Sequence, residues 1–293
     1  VESLHSPLWR HICTQLSSQA SCDCEAHGLE PVSGGDTLQS FVLQCGHRRY
    51  FIKLGELTAL PMLETEAESL ERLSPFAANA MLVGSFKHHA FLVLPYLDLK
   101  SDGDQFALGQ RLAQLHQLTE PQGRYGWHQD NFIGLTPQQN RWHTRWCDFY
   151  ISQRLLPQLS LAKHNGFGES LLPIEAALIQ STRAQLDDHQ PKASLLHGDL
   201  WRGNAGFSQG QGVFFDPASY YGDRETDLAM THLFGGFGDE FYLGYESEAP
   251  LEIGHKQRLP IYQLYHQLNH LNLFGRVYLA GCVEQAEQII ALS

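Results

Sequence analysis

Positive charge is nowhere concentrated in this sequence: its longest basic stretch is His47-Arg48-Arg49, and 20 Lys and Arg face 32 Asp and Glu, for a formal charge of -12. A nucleic-acid footprint, which needs clustered cations to displace phosphate counterions, is therefore not expected. Long apolar runs are missing too. Segments such as Ala90 to Tyr96 (AFLVLPY) fall far short of the roughly 20 residues that span a bilayer, and no basic segment leads into an apolar one near residue 1. The expected setting is the cytoplasm, with neither membrane nor nucleic acid as partner. Cysteine is sparse: six residues, at 13, 22, 24, 45, 147 and 282, show no regular framework and read as mostly reduced thiols. Cys22, Cys24 and His27 make a C-x-C-x-x-H cluster, but it lacks the fourth ligand of a structural zinc site. No internal repeat or low-complexity tract is present.

What the chain does have is apolar content, 43% hydrophobic and 11% aromatic over 293 residues, enough for one large domain or two lobes with real cores. The first ninety residues are strand-rich. Leu29 to Val32 leads into a strand, Ser33-Gly34-Gly35-Asp36-Thr37 makes a turn, and Gln39 to Gln44 and Arg49 to Leu54 are two strands joined through Gly46. Leu63, Ala67, Leu70 and Leu73 are spaced as one face of an amphipathic helix over Met62 to Leu73, and Ala80 to Gly84 with Ala90 to Leu94 form a second antiparallel pair. From Asp104 onward the pattern is helical, over Phe106 to Leu118, Trp142 to Leu156, Ile174 to Leu186 and Leu259 to Phe274. The expected fold is α+β and bilobal: residues 1–97 a small antiparallel sheet with one helix, a hinge near 94–98, and residues 98–293 a larger, mainly helical lobe.

The chemistry centres on Leu195 to Asn204, LLHGDLWRGN, where two apolar residues give way to a polar loop. Asn204 follows Asp199 by five residues, and Asp216 ends a short apolar strand in Gly212 to Pro217 (GVFFDP). Two such oxygen-bearing groups can converge on one divalent cation, because magnesium takes hard oxygen ligands. Asp199 is then free to orient an attacking hydroxyl. Lys53 shares a strand face with Phe51 and can reach a polyphosphate, with Glu64, Glu66, Glu68 or Glu71 of the next helix as its partner. Metal ligands and a lysine on the phosphates, with a carboxylate on the acceptor, are the parts phosphoryl transfer requires.

The sequence resembles the fructosamine kinase (ketosamine kinase) family, related to aminoglycoside phosphotransferases and more distantly to protein kinases. The resemblance lies in HGDLWRGN at 197–204, Asp216-Pro217-Ala218, YYGDRE at 220–225, Asp227 to Met230, Asp130 to Gly134, LFGGF at 233–237 and YQLYHQLNHLNLFG at 262–275. It spans nearly the whole chain. It implies a protein-kinase-like fold and an ATP-dependent kinase acting on the 3-hydroxyl of fructosamine, ribulosamine or erythrulosamine adducts, free or on glycated protein side chains, and thus protein deglycation. ATP and Mg2+ are the implied cofactors, and a monomer is expected, with a dimer as the alternative.

Residue by residue, the resemblance makes Asp199 the catalytic base, Asn204 and Asp216 the metal ligands, Lys53 the phosphate lysine and Glu66 its partner. Gly34 and Gly35 approach the phosphates in a turn where Ser33 replaces the family's first glycine. Pro95 stands where relatives carry Glu; it keeps the C=O that faces adenine, while the Leu97 amide donates to the ring. Asp130, Asn131, Trp201 and His266 are candidates for the acceptor side. Each has a plainer reading: an Asx-turn at Asp130-Asn131, a core cap at Trp201, core packing at His266. Asp223 to Asp227 reads as an internal ion-pair network, with Asp227 fixing the catalytic-loop backbone. An aminoglycoside kinase of the same fold, or an inactive scaffold, would share the architecture; the intact set Lys53, Asp199, Asn204 and Asp216 speaks against the scaffold.

Overall fold

Two-sided burial of one sheet organises the small lobe. In the computed structural model, which describes residues 3–20, 24–32 and 38–292, α1 (Pro7–Ala20) precedes β1 (Ala26–Val32), β2 (Gln39–Cys45), β3 (Arg48–Glu56), α2 (Leu60–Arg72), β4 (Leu82–Phe86) and β5 (His89–Pro95). The strands pair antiparallel in the order β1-β2-β3-β5-β4. Because successive side chains point to opposite faces, Phe91 and Val93 of β5 join Leu8, Trp9 and Ile12 of α1, while Ala90, Leu92 and Leu94 join Leu63 and Leu70 of α2. That double cover explains why AFLVLPY is apolar without alternation. Helix α1 is an addition to the single small-lobe helix expected; its buried Leu8, Ile12 and Leu16 recur every four residues along one face.

One pair departs from the expectation of mostly reduced thiols. Cys24 and Cys45 form a disulfide, 21 residues apart in sequence, because antiparallel pairing of Ala26 with Cys45 brings them together at a Cα–Cα distance of 5.2 Å. Cys13, Cys147 and Cys282 are free and buried. Cys22 lies outside the described residues, as do Gly34 and Gly35.

The large lobe begins with α3 (Gln105–His116), whose start is capped by Asp104 Oδ1 accepting from the Ala107 N–H at 2.9 Å. A hairpin follows, β6 (Asn131–Ile133) and β7 (Thr136–Gln138), then α4 (Trp146–Phe149), which runs through a wide π-type turn into α5 (Leu156–Ala162), and α6 (Gly168–Leu186). The helix expected from Trp142 starts later, because Tyr125 and His143 exchange backbone hydrogen bonds of 2.8 and 2.9 Å and hold that stretch extended. Short strands β8 (Ser194–Leu195), β9 (Ala205–Ser208), β10 (Gln211–Phe214) and β11 (Tyr221–Gly222) frame the polar loop, followed by α7 (Glu225–Thr231), α8 (Asp239–Glu248), α9 (His255–Phe274) and α10 (Leu279–Ala291). The fold is bilobal and kinase-like, a small antiparallel sheet lobe on a larger helical one. Among the described residues no helix is long and apolar enough to cross a membrane.

Helices α3 and α8 pack backbone to backbone. A Cβ at Gly109 would lie 1.9 Å from the Phe241 carbonyl oxygen, and one at Gly244 would lie 2.0 Å from that of Phe106. Glycine weakens a helix interior by about 1 kcal/mol, and here it permits an approach that alanine forbids. The contact sets Tyr245 of α8 against His116 at the end of α3, with Tyr245 OH 2.8 Å from His116 Nδ1.

Candidate active site

Strand parity places Lys53 on the α2 face of the sheet, and helical spacing places Glu66 there too, three residues after Leu63 and four before Leu70. The Lys53 Nζ donates to Glu66 Oε1 and to Asp216 Oδ1, both at 2.6 Å, so one ammonium ties the small lobe to the large. Burial disfavours that charge, but the two carboxylates outweigh it and raise the lysine above its ordinary pKa. Of the four glutamates, the structure selects Glu66; Glu68 turns instead to His128 at 3.0 Å and Gln129 at 2.7 Å.

The polar loop is fastened from behind. Asp227 on α7 accepts the His197 N–H at 2.7 Å and the Gly198 N–H at 2.8 Å, while His116 Nε2 lies 3.0 Å from its Oδ2. Burial alone would raise this carboxyl; His116, His197 and the Gly198 amide hold it below the usual range. Gly198 has φ +85°, and a Cβ there would come within 2.0 Å of the Ala218 carbonyl oxygen, so only glycine fits. Burial keeps the His197 imidazole neutral. Its Nδ1 accepts the Asp199 N–H at 3.2 Å, and its Nε2 accordingly donates to the Phe215 carbonyl at 2.9 Å. One ring thus joins the residue before Asp216 to the backbone of Asp199.

Asn204 closes the arrangement: its Nδ2 donates to the Asp199 backbone oxygen at 2.9 Å and lies 3.4 Å from Oδ2, and its own carbonyl accepts the Phe215 N–H at 3.1 Å. The Asp199 carboxyl is pushed up to about 7, first by burial, then by the charges of Asp216 and Asp227, against the hydrogen bond from Asn204. A carboxylate so tuned can take a proton from a hydroxyl near neutrality. Asp216 is half-exposed and sits at φ +55°, a left-handed conformation that Asp tolerates better than most residues.

At the end of β5, Tyr96 N donates to Arg49 O at 3.1 Å, toward β3. Pro95 C=O therefore points to the opposite edge, beyond the last β4–β5 pair, Leu82 with Val93. That edge offers a backbone acceptor at the junction of the lobes.

The acceptor candidates separate. Trp201 is exposed, and its ring lies over Gly203, where a Cβ would meet it at 2.2 Å; it covers the loop and does not cap the core. His266 is buried against Tyr265, whose hydroxyl donates to Gln138 at 2.7 Å. Asn131 is buried, with Nδ2 donating to Ser219 O and Oδ1 accepting from Gln138 and Asn140, each at 2.8 Å, so its side chain braces the hairpin. Asp130 accepts the Asn140 N–H and lines, with Trp127, Arg141 and Trp142, a cavity of about 460 Å³ that includes none of Lys53, Asp199, Asn204 and Asp216. His116 and the bridging role of His197 had no signal beyond a lone histidine on a helix and the H of HGD.

A family model described as fructosamine kinase matches residues 8–292. The chain belongs to the fructosamine kinase family. A relative in Vibrio parahaemolyticus named a probable ketoamine kinase is 44% identical over 290 residues, 97% of this chain and 98% of its own. A crystal structure from Haemophilus somnus, described as a "putative fructosamine-3-kinase", superposes with TM-score 0.88 at 28% identity, covering 96% of this chain and 97% of that one. The aminoglycoside phosphotransferase APH(4)-Ia, in a ternary complex with ADP and hygromycin B, shares the fold, with TM-score 0.65 at 13% identity over 96% of this chain and 98% of its own. Membership in the fructosamine kinase family places the chain's chemistry among ATP-dependent kinases of small molecules.

Proposed function

We propose that this protein transfers the γ-phosphoryl group of ATP to the 3-hydroxyl of a ketosamine, a fructose-, ribulose- or erythrulose-amine adduct, free or carried on a glycated protein. The observation that carries the reading is the convergence of Lys53, Asp216, Asn204 and Asp199 at the seam between the lobes, within a family of ketosamine kinases. In this reading Asp199 accepts the hydroxyl proton as the oxygen–phosphorus bond forms and the bond to the ADP oxygen breaks. Lys53, oriented by Glu66, holds the phosphates; Pro95 C=O and Leu97 N–H receive adenine. Gly34 and Gly35 lie outside the described residues, and the proposed phosphate turn rests on their sequence alone.

The donor set fits a hard divalent cation. Asp216 offers a half-exposed carboxylate, and Asn204, whose Nδ2 is spent on Asp199, keeps Oδ1 as an acceptor. Magnesium bound there would supply neutralisation of the charge that develops on the phosphates. In this reading Trp201 covers the sugar beside Asp199.

A matched turnover panel tests the reading: ATP with fructose-lysine, ribulose-lysine, erythrulose-lysine and an aminoglycoside, each with and without Mg2+, following phosphorylated product by mass. At least one ketosamine should be turned over, only with the metal, and the aminoglycoside little or not at all. The reverse preference would make the protein an antibiotic kinase, and product without a divalent cation would remove Asn204 and Asp216 from their role.

A further inference from the structure

The LFGGF segment and the outer half of α9 have no part in the chemistry above, yet they build an open aromatic corner. Phe234, Gly235 and Gly236 have φ of +52°, +96° and +65°. Two glycines adopt such angles freely, whereas a phenylalanine is held there only by its surroundings. The result is that the Phe234 ring stacks on His270, centroids 4.2 Å apart, and stays 37% exposed. Phe274 and Tyr278 flank His270 at 5.4 and 5.3 Å, and Tyr278 meets Phe234 edge-on at 6.3 Å.

The same segment also reaches the catalytic loop. Three residues on, Phe237 lies 5.6 Å from the guanidinium of Arg202, in the loop that carries Asp199. Along α9, His266, His270 and Phe274 recur every four residues, a single stripe running outward. At its inner end His266 is 3% exposed, and its Nδ1 has no hydrogen-bond partner among the described residues. A buried polar atom left unpaired is costly unless water or a ligand satisfies it. Burial keeps that imidazole neutral, its pKa lowered to about 3, so it can serve a hydroxyl without adding charge.

We propose that the Phe234–His270 corner is the subsite for the amine arm of the ketosamine: the open face of Phe234 receives the substrate's secondary ammonium, Phe274 and Tyr278 flank the alkyl chain beyond it, and His266 hydrogen-bonds the sugar at the inner end. This rests on the ketosamine kinase reading and adds to it the basis for preferring an aminated sugar over the plain one. A cation on an aromatic face gains roughly 0.5–2 kcal/mol, which corresponds to about 2- to 30-fold in affinity.

The test compares fructose-lysine, which carries the ammonium, with 1-deoxyfructose, which lacks it, the latter measured as a competitive inhibitor. Phe234→Leu keeps an apolar side chain at the same backbone angle and removes the ring; Phe234→Tyr keeps the ring. Phe234→Leu should raise KM for fructose-lysine about 2- to 30-fold, leave kcat and the 1-deoxyfructose inhibition constant unchanged, and be rescued by Phe234→Tyr. Equal loss for both compounds would reduce Phe234 to a structural residue, and no loss for either would overturn the subsite. Wild-type protein that turns over no ketosamine would instead defeat the parent reading.

Discussion

Replacing Asp199 by Asn is expected to lower kcat by about 10²- to 10⁴-fold, the range a general base contributes, while the dissociation constant for ATP with Mg2+ stays close to wild type. The substitution preserves shape and the bond from Asn204 Nδ2 to the residue 199 backbone oxygen, so the loop keeps its geometry and only the proton acceptor is removed. Proposed contacts to nucleotide come from Lys53, Asn204, Asp216 and the Pro95–Leu97 edge, none of which changes. Single-turnover kinetics and calorimetry on the same preparation separate the two quantities. Wild-type turnover in the variant would remove Asp199 from the role of base; a parallel loss of ATP binding would mean that it holds the nucleotide site together.

Asp227→Ala should be the most destabilising single change near the site, costing about 3–5 kcal/mol, because it breaks a buried charged cluster. It strands the His197 and Gly198 amides and the inner nitrogen of His116, all buried. Urea unfolding, with m unchanged, reads the loss as a shift in midpoint; a loss below about 1 kcal/mol would contradict the anchoring role. The pH dependence has a definite sign. The folded-state pKa of Asp227 is depressed, so the carboxylate's contribution is complete above its unfolded value of about 3.9 and is lost as pH falls through the folded one. The gap between wild type and variant should be constant near neutrality and narrow only in acid.

Local periodicity made much of this legible. Strand parity put Lys53 on the face of Phe51, and loop chemistry picked out Asp199, Asn204 and Asp216. What stayed hidden depends on contacts between distant segments. By residue type alone the four glutamates on one helix are equivalent, and only the family resemblance singles out Glu66; packing of Leu63 and Leu70 turns it toward the sheet. His116 and Asp227 meet across 111 residues, and neither segment carries a trace of the other. Asn131 is an acceptor-side candidate only through the family resemblance, its residue chemistry giving no more than an Asx-turn; the fold buries it and engages both polar atoms of its side chain. Cys24 and Cys45 are paired by strand register, which sequence spacing does not reveal.

The two glycine contacts between α3 and α8 bear on how this protein would tolerate substitution. A Cβ at position 109 or 244 would meet a backbone oxygen at 1.9 or 2.0 Å, so no other side chain fits either, although neither belongs to the proposed site. In a saturation screen scored by turnover, both would be as intolerant as Asp199, and a reader of that map alone would draw the active site too large. Soluble yield distinguishes the classes: variants at 109 and 244 fail to accumulate, whereas those at 199 accumulate and are inert.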